Sequence, residues 1–275
     1  MRSIRLPDDV DAREAAAVRG GPGSLDDADE TIDEPCRVFW PDGSLAAEYG
    51  TVDDGTVDET FRVTIPRVSP ASGIRSGGLP TRSRQFGAHP RYPIRRQEYC
   101  GRAVMEREYP AEYARLVALG GALGDRYAAA VPMIAGEQTA WVETEVLPEY
   151  RMVGPFTSGI LNFENPLPYH RDSGNVRGSW NAMVVVREHV TGGELVLPAW
   201  RLAFACADRS VLLLDTGRTL HGVAPMVRRR VGGYRTSIVY YCLRQLANCL
   251  CPEAEMERAR RMRTLREDRR AGLAE

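Results

Sequence analysis

Two histidines and one aspartate in this chain have the spacing expected of a metal site. The segment LPYHRDSGN (167–175) places His170 two residues before Asp172, and side chains two residues apart in extended backbone point to the same face. His221 follows the apolar run SVLLLD and the turn TGRTL, about 50 residues further on. Two histidines and one carboxylate form the facial triad of non-haem Fe(II) oxygenases, which leaves coordination positions open.

The other two histidines fit the third position less well. His89 lies in a basic segment ahead of the β-rich region, and His189 follows WNAMVVVRE too closely to come from an opposing strand. A lone histidine is more often structural, and H-x-D also occurs by chance. The prediction therefore depends on the ordered set of residues rather than on any one of them.

An arginine completes that set. Arg235 and Ser237 lie on one face of the last apolar run, YRTSIVYY, and Arg235 follows His221 by fourteen residues. A guanidinium forms two-pronged hydrogen bonds with a carboxylate, and the Ser237 hydroxyl can donate to the same group. This pattern indicates a dicarboxylate cosubstrate beside the metal.

Composition describes an ordinary globular chain of 275 residues, with 43% hydrophobic and 27% charged residues, enough for one large or two smaller domains. No apolar run approaches the roughly 18 residues that cross a bilayer, and the N-terminus lacks the apolar stretch of a signal peptide. We therefore expect a cytoplasmic protein without a membrane partner. The basic residues are all arginine and the net charge is −1, so nucleic-acid binding would need a local basic patch.

The six cysteines are too few for a disulfide scaffold in a chain of this length. Cys249 and Cys251, with Cys242 nearby, raise the alternative of a structural zinc ion. Their C-x-C spacing lacks the usual C-x2-C pairs, so free thiols are the expectation.

The first half of the chain changes character several times. Residues 1–34 are acidic and poor in aromatic residues, which predicts a flexible arm. A single domain is expected over 35–250, opening with a hairpin around Pro41-Asp42-Gly43. The following Gly-, Ser-, Pro- and Arg-rich segment (69–96) indicates an extended basic loop or linker.

The second half is predicted to be mainly β with flanking helices. Apolar spacing over about 105–130 predicts a helix or helix pair, bent near Gly120 and Gly121. Short strand-like runs follow from residue 139, starting with TAWVETEV, and indicate a sandwich or barrel core at about 139–245. Residues 251–275 predict a charged surface helix.

Four segments resemble the Fe(II)/2-oxoglutarate dioxygenases, and among them the TET/JBP nucleobase oxygenases: HRDSGN, GGELVLP, LLLDTGRTLHGVAP and YRTSIVYY. The resemblance covers roughly residues 80–245 and implies a double-stranded β-helix (jelly-roll, cupin-like) fold. It implies that His170, Asp172 and His221 hold Fe(II), that Arg235 and Ser237 bind 2-oxoglutarate, and that O2 is the oxidant.

The resemblance also implies further contacts. Arg96 or Arg102 matches the approximate place of an upstream arginine that helps to bind the cosubstrate. Asn175 lies where TET enzymes read the cytosine edge. Tyr241 matches an aromatic residue that stacks on the flipped base, while strand packing is the alternative role for Tyr240 and Tyr241.

The chain departs from the family pattern in two base-contacting places. A histidine just before V-L-P is replaced by Leu195, and a histidine two positions past the stacking aromatic is replaced by Leu243. The cysteine-rich zinc modules of the large animal enzymes are not present in the sequence. The chain thus resembles the compact forms of bacteriophages and microbes.

The implied activity is hydroxylation of 5-methylcytosine in DNA to 5-hydroxymethylcytosine, by a protein expected to be a monomer. The target base must leave the duplex to reach a buried metal, and arginines at 75–96, at Arg177 and at 228–230 could hold the phosphates. Alternatives are thymine in DNA, a small molecule or amino acid as substrate, and a non-catalytic jelly-roll binding module.

Overall fold

The computed structural model describes residues 1–53, 55–74, 80–92 and 97–271. Its strands are β1 (Arg2–Arg5), β2 (Glu30–Ile32), β3 (Cys36–Phe39), β4 (Leu45–Thr51), β5 (Ala71–Ile74), β6 (Pro80–His89), β7 (Gly101–Arg102), β8 (Ser158–Phe163), β9 (Leu167–His170), β10 (Asn181–Glu188), β11 (Val190–Gly192), β12 (Leu195–Leu197), β13 (Leu202–Phe204), β14 (Ser210–Leu214), β15 (His221–Val223), β16 (Met226–Arg228) and β17 (Tyr234–Tyr241). Its helices are α1 (Val10–Ala16), α2 (Glu59–Thr64), α3 (Met105–Glu108), α4 (Pro110–Ala130), α5 (Pro132–Glu145) and α6 (Pro252–Arg270).

Two sheets carry the core. Within the described residues, the major sheet has the order β1-β3-β4-β14-β10-β17-β8-β6-β5, with β7 paired to β6. The minor sheet has the order β2-β13-β12-β15-β9, and β11 and β16 form a separate pair. The prediction of a mainly β fold with flanking helices is confirmed.

Side-chain alternation along the central strands separates two environments. In β17, Ile238 and Tyr240 belong to the cluster that packs against the helices, whereas Ser237, Val239 and Tyr241 line a cavity on the other face. This is the period of two that extended backbone imposes. The predicted strand YRTSIVYY therefore forms the wall between the helical layer and the cavity.

The helical layer covers the outer face of the major sheet, with Leu116, Leu119 and Leu123 of α4 in the same cluster as Ile238. The helix or helix pair predicted over about 105–130 is confirmed as α3 and α4, which divide at Tyr109, whereas α4 continues unbroken through Gly120. A Cβ at that position would lie 2.9 Å from Tyr240 Cε1, so the glycine permits close packing rather than a bend.

The prediction that the β region begins at residue 139 is wrong. TAWVETEV lies in α5, whose buried residues Ala135, Gln138 and Val142 fall on one helical face. Pro132 at the helix start favours this conformation, because its missing N–H would have no helical partner there. The strands of the core resume only at Ser158 in β8.

The acidic segment 1–34 is not the flexible arm that its composition predicts. Arg2–Arg5 pairs in parallel with β3, and Glu30–Ile32 pairs with β13 in the minor sheet. Apolar residues Leu6, Val10 and Ile32 are buried in the cluster between the sheets. A few anchoring side chains outweigh the acidic composition around them.

The prediction of an extended loop over 69–96 is also wrong for the two strands that lie within it. Ala71–Ile74 pairs with β6, and β6 pairs with β8 in the major sheet. Phe86 and Ala88 are buried. These two apolar side chains anchor β6, which is otherwise polar, in the core. Residues 75–79 and 93–96 lie outside the described part of the chain.

Two of the cysteines are paired, contrary to the expectation of free thiols: Cys100 forms a disulfide with Cys249. The Glu255 carboxylate accepts hydrogen bonds from the Cys100 backbone N–H at 3.0 Å and from Arg91 at 2.7 Å. Cys251 is exposed and Cys242 is buried.

Among the described helices, none is both long and apolar enough to traverse a membrane.

Candidate metal and cosubstrate site

The two predicted histidine ligands face each other across one strand pair. His170 ends β9, His221 begins β15, and the antiparallel register of these strands sets the two residues opposite one another. Their ring centroids are 4.4 Å apart. Two ligands about 50 residues apart in sequence therefore meet through the pairing of the minor sheet.

Backbone carbonyls orient both imidazoles. His170 Nδ1 lies 2.8 Å from the Pro168 carbonyl, and His221 Nδ1 lies 3.0 Å from the Thr219 carbonyl. A carbonyl only accepts, so Nδ1 carries the hydrogen and the lone pair is on Nε2 in each ring. Metal-ligating histidines are commonly fixed in this way.

Asp172 completes the group. One ligand atom from each of His170, Asp172 and His221 can be chosen so that all lie within 4.8 Å of one another. The Asp172 Oδ2 accepts hydrogen bonds from Thr216 Oγ1 at 2.7 Å and Asn181 Nδ2 at 3.0 Å. Oδ1 lies 3.6 Å from His170 Nε2. One carboxylate oxygen is thus held by the protein while the other faces the histidines, so the donor set fits a divalent iron.

A residue of the N-terminal segment supports the backbone on which the three ligands lie. The Glu14 carboxylate of α1 accepts hydrogen bonds from Arg171 Nη2 at 2.7 Å and from the Leu220 N–H at 3.0 Å. Arg171 lies between His170 and Asp172, and Leu220 precedes His221. Glu14 is only 6% exposed, so one buried carboxylate ties together the two chain segments that carry the triad.

A cavity of about 330 Å³ opens beside the triad. Its lining combines apolar side chains with a few polar groups, which is typical of small-molecule sites. The lining residues that enter the arguments below are His170, Asp172, Asn175, Asn181, Leu195, Thr216, His221, Ser237, Tyr241 and Leu243.

Arg235 lies on the same side of β17 as Ser237 and is 2% exposed, although it is not among the described residues that line the cavity. Its Nη2 donates to the Gly193 carbonyl at 2.8 Å, while its buried Nε has no hydrogen-bond partner among the described residues. An unpaired donor on a buried cation is costly. A carboxylate ligand would satisfy it, so the residues present fit 2-oxoglutarate.

A second guanidinium lies beside the first. Arg187 is the direct cross-strand neighbour of Arg235, and burial together with the positive charge of Arg235 lowers the pKa of Arg187. Arg187 donates to the Cys206 carbonyl at 3.2 Å. Two adjacent cations favour an anionic ligand at this end of the site.

Of the two arginines predicted to assist the cosubstrate, Arg102 lies away from the cavity. Arg102 Nε bonds to Glu106 at 2.7 Å and Nη1 to the Arg151 carbonyl at 2.7 Å, and Arg102 is not among the described residues that line the cavity. These local partners hold it in a different place. Arg96 lies outside the described residues.

The two adjacent tyrosines have different surroundings. Tyr241 lines the cavity. Tyr240 is completely buried, packs edge-on against Phe86 with ring centroids 5.2 Å apart, and donates its hydroxyl to the Leu116 carbonyl at 2.7 Å. Its burial raises the tyrosine pKa well above the usual value. The prediction that Tyr240 contacts the substrate is therefore wrong.

Asn175 lies where a base reader was predicted, in the cavity wall and 7% exposed. Leu195 and Leu243, which replace two family histidines, line the same cavity. The side chains that sequence reasoning missed are Asn181, Thr216, Glu14 and Arg187. Asn181 follows the recognisable HRDSGN motif by only six residues, but nothing in its spacing points to Asp172.

The comparisons with known proteins agree with this geometry. Residues 93–244 match the family model Tet_JBP, described as the oxygenase domain of the 2OGFeDO superfamily. The match covers more than half of the chain, which therefore belongs to this family. Its members use Fe(II), 2-oxoglutarate and O2, so the chain is a 2-oxoglutarate/Fe(II) dioxygenase, as the sequence predicted.

A solved structure, NgTET1, shows the same fold. NgTET1 in complex with 5mC DNA superposes with a TM-score of 0.57 over 88% of this chain and 90% of that chain, at 12% identity. A 2OG-Fe(II) oxygenase family oxidoreductase from Burkholderia pseudomallei matches with a TM-score of 0.48 over 72% of this chain and 88% of that chain, at 16% identity. The predicted double-stranded β-helix is confirmed. No curated protein matches the chain in sequence.

Proposed function

We propose that the chain hydroxylates the methyl group of 5-methylcytosine in DNA, giving 5-hydroxymethylcytosine. The observation that carries this proposal is that Asn175 and Tyr241 line the same cavity as the triad. They offer a hydrogen-bonding amide and an aromatic ring beside the metal ligands. Membership of the Tet_JBP family and the structural likeness to NgTET1 with 5mC DNA support the same assignment.

The metal and cosubstrate supply the oxidation when bound: one atom of O2 enters the methyl group, and the other enters 2-oxoglutarate, which leaves as succinate and CO2. His170, Asp172 and His221 would hold Fe(II). Arg235 and Ser237 would hold the distal carboxylate of 2-oxoglutarate, where the buried Arg235 Nε has no partner among the described residues.

The remaining residues position the base. A methyl group in a paired base cannot reach this cavity, so the nucleotide must rotate out of the duplex. Tyr241 would stack on the extruded ring, and Asn175 would bond to its edge. The apolar Leu195 and Leu243 would surround the methyl group and exclude water.

Exposed arginines can hold the DNA backbone. Arg177, Arg229 and Arg230 are exposed on loops, and phosphate contacts of this kind orient a protein on DNA without reading sequence. Arg228 is less suited to this role than predicted, since its guanidinium pairs with Glu164. The net charge of −1 gives the chain no overall attraction to DNA. A steep fall of DNA affinity with added salt would therefore indicate local contacts between these arginines and phosphates.

Mass spectrometry of nucleosides tests the proposal. Duplex DNA with 5-methylcytosine is incubated with the protein, Fe(II), 2-oxoglutarate and ascorbate, and succinate is measured in parallel. We expect 5-hydroxymethylcytosine to accumulate with succinate. Succinate formation with no loss of 5-methylcytosine would refute the substrate and leave the dioxygenase assignment intact.

Matched histidine variants show whether the product depends on the candidate site. His221→Asn should abolish the product. His189→Asn should not, because His189 is exposed beside Glu188 and has a φ of 52°, which asparagine tolerates. Equal activity of both variants would show that the assigned triad is wrong.

A further inference from the structure

Asn181 joins the iron ligand Asp172 to the candidate base reader Asn175. It begins β10, is 2% exposed and lines the cavity between the two residues. Its Nδ2 lies 3.0 Å from Asp172 Oδ2 and 2.5 Å from Thr216 Oγ1. Its Oδ1 lies 2.9 Å from Asn175 Nδ2. A buried chain of hydrogen bonds therefore runs from the metal site to the substrate wall.

The direction of every bond in this chain follows from its first member. An ionised carboxylate can only accept, so both Thr216 and Asn181 donate to Asp172 Oδ2. Thr216 has then used its single hydrogen and can only accept from the second Asn181 Nδ2 hydrogen. Asn181 Nδ2 is thereby saturated, and its Oδ1 must receive a donor from Asn175.

Asn175 is therefore fixed with its Nδ2 toward Asn181. A rotated amide would set its oxygen against the Asn181 oxygen, two acceptors facing each other in a buried place, which costs a hydrogen bond. The side-chain hydrogen bond that the structure gives Asn175 is the one its Nδ2 donates to Asn181, and the residue lines the cavity. The side chain thus offers an acceptor to the substrate.

We infer that Asn181 is a positioning residue that holds Asn175 as a hydrogen-bond acceptor and so selects 5-methylcytosine over thymine. This inference rests on the proposed function. The two bases carry the same methyl group but differ at position 4, where cytosine has an amino donor and thymine has a carbonyl acceptor. A fixed acceptor bonds to the first and repels the second.

The test compares two duplexes that differ only in the target base, 5-methylcytosine or thymine. Initial rates of 5-hydroxymethylcytosine and 5-hydroxymethyluracil are measured for the wild type and for Asn181→Leu, which is similar in size and makes no hydrogen bonds. The wild type should prefer 5-methylcytosine. Asn181→Leu should lose about tenfold or more of that preference, since one hydrogen bond in a dry site is worth about that ratio.

Two further variants separate positioning from loss of folding. Asn181→Ser is too short to reach Asn175, while Thr216 still donates to Asp172 at 2.7 Å, so the variant should bind metal and still lose selectivity. Asn165→Leu removes another buried amide, 4% exposed, which bonds to the Arg82 carbonyl at 3.0 Å and not to the chain from Asp172 to Asn175. It should leave the preference unchanged.

Binding provides a readout that needs no turnover. With Mn(II) in place of iron, the ratio of the dissociation constants of the two duplexes should shift in both Asn181 variants in step with the rate ratio. Mn(II) affinity should fall for Asn181→Leu by up to about tenfold, because Asp172 loses one of its two supporting donors.

The possible results distinguish the inference from the proposed function. If the wild type oxidises neither base, the proposed function fails. If it oxidises thymine faster than 5-methylcytosine, it is still a DNA base oxygenase and the inference is overturned. If folded Asn181 variants retain the wild-type preference, the inference also fails. The wild-type comparison alone can refute it even if every variant is unstable.

Discussion

Arg235 occupies the space that a side chain at Gly193 would fill. Its guanidinium donates to the Gly193 carbonyl at 2.8 Å, and a Cβ built on Gly193 would lie 2.8 Å from the Arg235 Nε. Gly193 also has a φ of +80°, where residues with a side chain are strained. The second glycine of the GGELVLP motif is therefore needed because a side chain there would collide with the candidate cosubstrate arginine.

Gly193→Ala should raise the KM for 2-oxoglutarate by about tenfold or more, with a smaller change in kcat, because the added methyl displaces the Arg235 head. The measurement is succinate formation at increasing 2-oxoglutarate. Gly232→Ala is the control, since Gly232 has a φ of +82° but nothing within 4 Å of its Cβ position. Equal KM values in the two variants would mean that backbone strain, not displacement of Arg235, is responsible.

The ligand residues were predictable because the chemistry restricts their types and order. His170, Asp172 and His221 are separated by strand-like runs, and a double-stranded β-helix brings such runs together. The candidate cosubstrate arginine was found in the same way, from its place on the next strand. Sequence could not reveal Arg187, because its role depends on the cross-strand register with Arg235.

The errors in the fold have a common cause. TAWVETEV contains the β-branched and aromatic residues that favour a strand, yet the same residues present a helical face once Pro132 starts α5. The basic strand β6 and the acidic N-terminal segment were misjudged because average composition conceals a few apolar anchors such as Phe86 and Ile32. Local patterns do not reveal which partner strand an extended segment will meet.

Glu14→Ala should weaken metal binding although the residue is distant in sequence from the triad. The substitution leaves Arg171 and the Leu220 N–H without their shared carboxylate, and since Glu14 supports the neighbours of the ligands rather than the ligands themselves, we expect Mn(II) affinity to fall by about tenfold, the lower end of the range for direct supporting groups. Titration with Mn(II) measures this. Asp11→Ala is the control on the same helix, because its pair with Arg218 is exposed and contributes little. Unchanged Mn(II) affinity for Glu14→Ala would contradict the supporting role.

The adjacent tyrosines should separate DNA binding from stability. Tyr241→Ala should weaken binding of duplex DNA containing 5-methylcytosine, since base stacking is worth about 1–3 kcal/mol. Tyr240→Phe should leave DNA affinity unchanged and lower the free energy of unfolding by about 1 kcal/mol, because the hydroxyl bonds to the Leu116 carbonyl. Fluorescence anisotropy and thermal unfolding distinguish them. Weaker DNA binding by Tyr240→Phe and unchanged DNA binding by Tyr241→Ala would contradict these assignments.

Alkylation by iodoacetamide should report the state of each cysteine. Only the thiolate reacts, and burial raises the pKa of Cys36, of Cys206 and, to about 12, of Cys242. These thiols therefore stay protonated at pH 7–8, whereas Cys251 is exposed. Native protein purified without reductant should be labelled at Cys251 alone.

Unfolding the same protein without reductant should expose four free cysteines and keep Cys100 and Cys249 joined. Added reductant should then raise the number of labelled cysteines to six, the total in the chain. Peptide mass spectrometry assigns each label. Six labels in denaturant alone would show that the pair is reduced. Because the pair links the segment before β7 to the segment before α6, its reduction should also lower the Tm.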